Sequence, residues 1–348
     1  MRRTVGPLLA LVLAGLLAIA AVLSLAPAGA QASRHAQVDL DGVTLKVGDQ
    51  VHALETLLRS SGQLDGIPYT VEWSAFTSGP PLVEALNADA IDAGLVGDTP
   101  PILAQAGGSD LKLVAASQGP AKGLAVVVPK GSPITSVKQL KGKKVAYVRG
   151  SAAQAFALAA FERYGLTLDD IDEVNLQPAD AMAAFNGGDV DAWFIWDPFA
   201  ALVEQQGAKV ILTGEKLSGG LTFVVAREGA VEDKGKDAAL RDFVGRVAAA
   251  GVWRDSHLDE WAREFARLTG LPVTIAQTML ERAQSSYLPI GKKVQAAQQK
   301  TADLFYDFGV IPERVDVGDT LDPRYNKTVE ASRRAATPAA SATSVPTG

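Results

Sequence analysis

Strand-like and helix-like segments alternate along most of this chain, and that alternation limits the folds it can adopt. Thr44–Gly48 and Tyr69–Trp73 alternate apolar and polar residues as strands do, and each precedes a segment with helical spacing. The same order recurs after Val145–Val148 and Glu173–Leu176, and Leu221–Ala226 is a further apolar strand. Strands interleaved with helices are typical of α/β proteins with largely parallel sheets. The sequence therefore predicts an α/β fold.

Two parts of the chain resemble each other. Residues 85–98 and 184–197 can be aligned at a constant offset of 99, and five aligned positions are then identical. They are Ala85, Asn87, Asp92, Ala93 and Asp98 in the first part, and Ala184, Asn186, Asp191, Ala192 and Asp197 in the second. Coincidence between two helix–strand–loop units is the alternative to duplication, and we expect two similar α/β lobes. From Lys236 to about Phe308 the apolar spacing predicts packing helices.

Composition excludes several classes of function. The chain of 348 residues has no cysteine, which excludes disulfides, thiolate metal sites and a cysteine nucleophile. The formal charge is −6 and no run of Lys or Arg occurs, which argues against binding to nucleic acid or to an anionic membrane surface. No short motif of a serine hydrolase, P-loop nucleotidase or zinc protease occurs. We therefore expect no catalytic residue, no metal and no cofactor.

The two ends of the chain predict processing and disorder. Arg2 and Arg3 precede an almost wholly apolar run, and Ala28-Gly29-Ala30 follows it. This pattern predicts a secretory signal peptide over residues 1–30, although the run is also long enough for an uncleaved anchor. Residues 331–348 are rich in Ala, Ser, Thr and Pro, which predicts a disordered tail.

Loops between a strand and the next helix are the candidate binding site. In open α/β sheets ligands bind beyond the carboxyl ends of strands, where helix N-termini favour anions. The residues of these loops that we expect to contact a ligand are Gln50, Thr77, Ser78, Gly97, Asp98, Gly150, Ser151, Ala152 and Trp196. Their hydroxyl and backbone N–H groups could approach one oxyanion from two lobes.

Each of these residue types also has a structural interpretation. Ser, Thr and Asp commonly cap helix N-termini, and capping is favoured for Asp98 and Asp197, which closely precede prolines. For Ser151, capping and ligand contact are both compatible with the sequence. Trp196 at a strand end could cover an apolar ligand tail or belong to the core, and Trp193 is expected in the core.

Four segments occur in a recognisable order and spacing. They are Gly97–Ala106 (GDTPPILAQA), Val126–Ala146 with its VPKGSPI and VKQLKGKKVA stretches, Arg149–Gln154 (RGSAAQ) and Trp193–Phe199 (WFIWDPF). Together they resemble the periplasmic aliphatic-sulfonate-binding proteins, and the similarity extends from about Leu45 to about Gly309. Relatives on the same frame bind taurine, nitrate, bicarbonate or thiamine precursors. A related desulfinase requires a cysteine nucleophile, so its activity is not carried over to this chain.

The resemblance implies a type II periplasmic binding protein fold, in which two α/β lobes joined by two crossovers close on a ligand. Lobe 1 would comprise about residues 38–129 and 219–320, and lobe 2 about residues 130–218, with the helical C-terminal part packed on lobe 1. The resemblance also implies a monomeric extracytoplasmic protein that captures a small organic anion, an alkanesulfonate, and delivers it to an ABC transporter permease.

The chemistry of a sulfonate defines what such a site must provide. A sulfonate stays ionised at physiological pH and offers three acceptor oxygens, so backbone N–H and hydroxyl groups suit it. We expect no buried carboxylate to face the anion and no basic side chain to bind it. Because an unpaired buried charge is costly, closure has to bring most donors together at once. Gln50, Thr77, Ser78 and Gly150–Ala152 are expected around the sulfonate, with Trp196 against the alkyl part.

Overall fold

The computed structural model describes residues 38–337, so the predicted signal peptide and the end of the predicted tail lie outside the described residues. The strands are β1 (Thr44–Gln50), β2 (Thr70–Phe76), β3 (Ala93–Gly97), β4 (Leu111–Gln118), β5 (Leu124–Val128), β6 (Lys144–Tyr147), β7 (Asp172–Asn175), β8 (Ala192–Trp196), β9 (Lys209–Thr213), β10 (Leu221–Arg227) and β11 (Ser286–Leu288). The α-helices are α1 (Ala53–Ser60), α2 (Gly79–Asn87), α3 (Thr99–Ala106), α4 (Ala152–Tyr164), α5 (Pro178–Gly187), α6 (Phe199–Gln205), α7 (Glu228–Glu232), α8 (Lys234–Ser256), α9 (Leu258–Thr269), α10 (Val273–Arg282), α11 (Lys292–Asp307) and α12 (Asn326–Ala336). None of the helices in this range is long and apolar enough to cross a membrane.

The strands form two sheets, which confirms the predicted α/β class. The first sheet has the order β11-β4-β10-β3-β1-β2, and the second has the order β7-β6-β8-β5-β9. Both sheets are mixed: β1 pairs in parallel with β2 and β3, whereas β10 pairs antiparallel with β3 and β4. The expectation of largely parallel sheets was therefore wrong, because β10 and β5 each enter their sheet from the other one, and in the opposite direction. We call the first sheet with its helices lobe 1, and β5–β9 with α4–α6 lobe 2.

The repeat seen in the sequence corresponds to equivalent positions in the two sheets. Asp92 precedes β3, and its carboxylate accepts a hydrogen bond from the Lys46 amide in β1 at 3.0 Å. Asp191 precedes β8, and its carboxylate accepts one from the Lys144 amide in β6 at 2.9 Å. In each lobe this aspartate ties the third strand of the repeat to the first.

The chain crosses between the lobes twice, and one predicted boundary is corrected. The first crossover lies between Gln118 and Leu124, and the second between Thr213 and Leu221. The sequence-based boundary at residue 129 is therefore one strand too late, because β5 pairs with β8 and β9 of the second sheet. We propose that lobe 2 ends near residue 218, within the second crossover.

Each lobe has its own apolar core. In lobe 1, α1, α8, α9 and α10 pack around residues such as Phe243 and Phe265, whereas lobe 2 packs Phe156 and Phe161 against Phe194. Helix α11 belongs to both, since Val294 near its start joins the lobe 1 core and Phe305 near its end joins the lobe 2 core. The predicted helical run is interrupted by β11, which pairs with β4.

The predicted disordered tail begins too early. Residues 326–336 form α12, which packs on α8 through close contacts between small residues. A Cβ atom added at Gly245 of α8 would lie 2.7 Å from the Ser332 hydroxyl oxygen, so the two helices approach closely. Val329 is buried, and the Arg333 guanidinium donates to the Tyr287 carbonyl at 2.5 Å. No periodic apolar face marks this helix in the sequence, because small residues and one valine make the contact.

Candidate ligand-binding cleft

A cavity of about 350 Å³ lies between the two lobes, at the ends of strands from both sheets. The predicted site residues that line it are Gln50, Gly97, Asp98, Ser151, Ala152 and Trp196. They lie at the carboxyl ends of β1, β3 and β8 and at the starts of α3 and α4, as expected for ligand sites in α/β sheets. The approach of the lobes is close, since a Cβ atom added at Gly97 would lie 3.1 Å from the Ala152 Cβ atom.

Three predicted residues lie where the lobes touch instead of in this cavity. The hydroxyl groups of Thr77 and Ser78 donate to the Gln177 side-chain oxygen of lobe 2, at 3.1 Å and 2.9 Å. Gly150 borders a neighbouring cavity of about 510 Å³, and its amide donates to the Gln154 side-chain oxygen at 2.7 Å. All three donors are used within the protein, and those of Thr77 and Ser78 join the two lobes on this side of the cleft.

Prolines limit the backbone donors at two helix starts near the cavity. Helix α2 begins Gly79-Pro80-Pro81 and helix α3 begins Thr99-Pro100-Pro101. Proline has no N–H group, so these helix starts offer few hydrogen bonds to an anion. The same prolines explain why Asp98 forms no capping bond to α3, since the residues it would cap are Pro100 and Pro101. The capping interpretation of Asp98 was therefore wrong.

The start of α1 is already occupied by a side chain. The Asp49 carboxylate accepts hydrogen bonds from the amides of Leu54 at 3.1 Å and Glu55 at 2.8 Å. This carboxylate takes the place that an anionic ligand would need at the helix N-terminus.

The start of helix α4 keeps a backbone donor at the cavity. The Ser151 hydroxyl oxygen accepts from the Ala153 amide at 3.2 Å, and the hydroxyl donates to the Val148 carbonyl at 2.7 Å. This confirms capping by Ser151 and shows that its hydroxyl hydrogen is already used. The amides of Gln154 and Ala155 bond to the Ser151 carbonyl, and the remaining first-turn amide is that of Ala152, which lines the cavity.

Three carboxyl groups line the cavity, contrary to the expectation that none would face the anion. They are Asp49, Asp98 and Asp197, and burial raises the pKa of each to about 6. Asp98 keeps a hydrogen bond from the Thr99 hydroxyl at 2.9 Å. Asp197 accepts from the Ala201 amide at 3.1 Å, which confirms its capping of α6. Because these groups gain protons more easily than exposed carboxyls, their repulsion of a nearby anion can be relieved by protonation.

Arg282 is a cavity residue that the sequence reasoning missed. Among the described residues that line the cavity, it is the basic one. Its guanidinium lies 2.6 Å from a Glu204 carboxylate oxygen and 3.5 Å from an Asp197 carboxylate oxygen. Burial lowers the pKa of Arg282, but the Glu204 and Asp197 carboxylates together raise it by more, so the guanidinium stays charged. Arg282 falls in a stretch whose spacing indicated only packing helices, and no local motif marks it.

The apolar wall of the cavity includes more than the predicted tryptophan. Trp196 lines the cavity, and Trp193 is fully buried, as expected for a core residue. Trp261 and Met279, on α9 and α10, also line the cavity. Trp261 has the helical spacing of a core residue, so sequence alone could not separate its two roles. Across the described range, no cluster of His, Asp or Glu residues is arranged to hold a metal ion.

Comparison with known proteins places the chain in a family. The family model described as NMT1/THI5 like matches residues 78–216. A protein of Escherichia coli strain K12 named for binding aliphatic sulfonates is 36% identical over 278 residues, which cover 78% of this chain and 86% of that protein.

Two solved structures have the same architecture. The periplasmic aliphatic sulphonate binding protein of Escherichia coli gives a TM-score of 0.71 at 35% identity, covering 80% of this chain and 92% of that chain. The alkanesulfonate-binding protein of Xanthomonas axonopodis pv. citri, bound to MOPS, gives a TM-score of 0.75 at 32% identity, covering 81% of this chain and 99% of that chain. These relatives are binding proteins, not enzymes, and they share the two-lobed periplasmic binding protein fold. The chain therefore belongs to the family of aliphatic-sulfonate-binding proteins.

Proposed function

We propose that this protein is the solute-binding component of an ABC importer and that it captures an aliphatic sulfonate in the cavity between its lobes. The observation that carries the proposal is that one cavity joins the Ala152 amide at the start of α4 to an apolar wall containing Trp196. A ligand with its sulfonate group at the Ala152 amide and its organic part against the apolar wall would use both features of the cavity. The family relationship supports this class of ligand.

The sulfonate subsite that we propose has fewer donors than the sequence suggested. The Ala152 amide is one helix-start donor at the cavity, and the Gln50 side chain also lines the cavity. The Gln50 side-chain nitrogen already donates to the Leu95 carbonyl at 2.9 Å, which leaves its second hydrogen for a ligand. Arg282 adds a positive charge at the same cavity. Hydrogen bonds to a charged group contribute roughly 1.5–3 kcal/mol each, so a few of them offset the loss of water around the anion.

Export and delivery are further parts of the proposal. We infer that residues 1–30 direct the protein across the cytoplasmic membrane and that the loaded protein, as a monomer, docks on a permease. The periplasmic location of the relative from Escherichia coli supports this. Taurine and the other small anions bound on this frame are tested as alternative ligands by the same experiment.

Isothermal titration calorimetry on the mature chain tests the ligand class. We expect 1-butanesulfonate and MOPS to bind, and pentanoate to bind at least about tenfold more weakly, because it lacks the third acceptor oxygen. Binding of taurine or nitrate in place of these sulfonates would redirect the assignment. Absence of binding to every organic sulfonate would contradict it.

A glycine substitution tests the place of binding. Gly97→Val should weaken sulfonate binding by about tenfold or more, because its side chain would meet Ala152 and keep the lobes apart. Gly291→Val is the matched control, since no atom lies within 4 Å of a Cβ built there. Circular dichroism checks that both variants fold, and equal affinities in both would place the ligand elsewhere.

A further inference from the structure

An ion pair joins the two lobes beside the cavity. Arg282 ends α10, whose residues Met279 and Leu280 belong to the lobe 1 core. Glu204 lies on α6, which packs on β5 and β8 of lobe 2. Their charged groups are 2.6 Å apart, so the pair bridges the cleft directly.

The two residues of the ion pair differ in their position at the cavity. Arg282 lines it, whereas Glu204 is absent from its lining among the described residues. The Arg282 side chain is 24% exposed and that of Glu204 is 33% exposed, so water is partly excluded from the pair. Arg282 has a second, longer contact with Asp197, at 3.5 Å. Glu204 therefore makes the short contact that fixes the guanidinium over the cavity.

Resting on the proposed function, we propose that Glu204 is a positioning residue: it holds Arg282 across the closed cleft as a latch that retains the bound sulfonate. Opening of the lobes separates α6 from α10 and breaks the ion pair. Closure forms it again, with or without a ligand in the cavity. The latch therefore lowers the dissociation rate of the ligand and leaves its association rate nearly unchanged.

Other contacts across the cleft differ from the latch. Gln205 donates to the Thr274 hydroxyl between the same two helices, but at 3.4 Å and without charge. Thr77 and Ser78 bond to Gln177 as neutral groups. A charge-assisted contact of 2.6 Å is stronger than these, and it is sensitive to salt because it is partly exposed.

Stopped-flow measurement of sulfonate dissociation tests the latch with Glu204→Gln. We expect dissociation to be about threefold to tenfold faster, association to be unchanged, and the salt dependence of dissociation to be reduced. Glu264→Gln is the control, because Glu264 is also 33% exposed and 2.6 Å from an arginine, Arg267, but within one helix. An unchanged dissociation rate in Glu204→Gln, or an equal change in Glu264→Gln, would overturn the latch.

A distance measurement judges the latch without any ligand. The chain has no cysteine, so Asp65→Cys and Lys138→Cys place one spin label on an exposed site of each lobe. We expect Glu204→Gln to lower the closed fraction of the ligand-free protein in the double electron–electron resonance distance distribution. If Glu204→Gln gave the same distance distribution as the wild type, the latch would be overturned, even if no sulfonate bound. A protein that binds sulfonate normally in every variant would retain the proposed function and lose only the latch.

Discussion

A carboxyl group without a cationic partner is buried in the cleft. Asp98 is almost fully buried beside the place proposed for an anion, and its partner is the Thr99 hydroxyl and not a cation. Burial raises the pKa of Asp98 to about 6, above the value near 4 of an unfolded chain. Between those values the folded state holds a proton that the unfolded state releases. Stability therefore falls as the pH rises from about 4 to above 6.

Asp98→Asn should remove the contribution of Asp98 to this pH dependence, whereas the contributions of Asp49 and Asp197 remain. At pH 7.5 we expect its free energy of unfolding to exceed that of the wild type by up to about 3 kcal/mol, since one pKa unit corresponds to 1.36 kcal/mol. Near pH 4 the two proteins should be similar, because both carry a neutral group. Urea unfolding at several pH values measures this. Asp65→Asn, a substitution on the surface, is the control. The raised pKa of Asp98 would be contradicted if this control had an equal effect on the free energy of unfolding, or if the stability of the wild type did not fall as the pH rises.

Elements were predictable where their pattern was local. The alternation of apolar and polar residues correctly identified β1, β2, β6 and β7 and the helices that follow them. The repeat at Asp92 and Asp191 identified the two sheets. The sheet to which β5 belongs was not predictable, because an apolar strand has the same pattern in either sheet. The short crossover after Gln118 also carries no sequence pattern that marks it. Helix α12 was missed because its contact with α8 depends on Gly245, about 90 residues away along the chain.

Helix α12 should contribute to stability as a packed element. Val329→Ala should lower the free energy of unfolding by about 2 kcal/mol, because a buried side chain loses two methyl groups and leaves a cavity. Arg334→Ala on the same helix should change it by less than about 0.5 kcal/mol, since that side chain is 83% exposed. Thermal unfolding of both variants checks this. Equal midpoints would mean that α12 does not pack as described.

The whole molecule explains why the site was only partly predictable. Loops after parallel strands meet at one edge of a sheet, so topology alone brought Gln50, Gly97 and Ala152 to the cavity. Arg282 and Trp261 reach the same cavity from helices that follow the second crossover, and only the packing of those helices on lobe 1 places them. The hydroxyl groups of Thr77 and Ser78 were expected around the sulfonate, but in the closed protein they donate to Gln177 of the other lobe.

The position of the sulfonate sulfur atom tests the central claim most directly. A crystal structure of the mature protein with MOPS or 1-butanesulfonate, with sulfur located by anomalous scattering, gives that position. The predicted result is a sulfur atom inside the cavity between the lobes, with one sulfonate oxygen accepting from the Ala152 amide and the organic part against Trp196. A ligand bound between Thr77 and Gln177, or on the outer surface of either lobe, would contradict it.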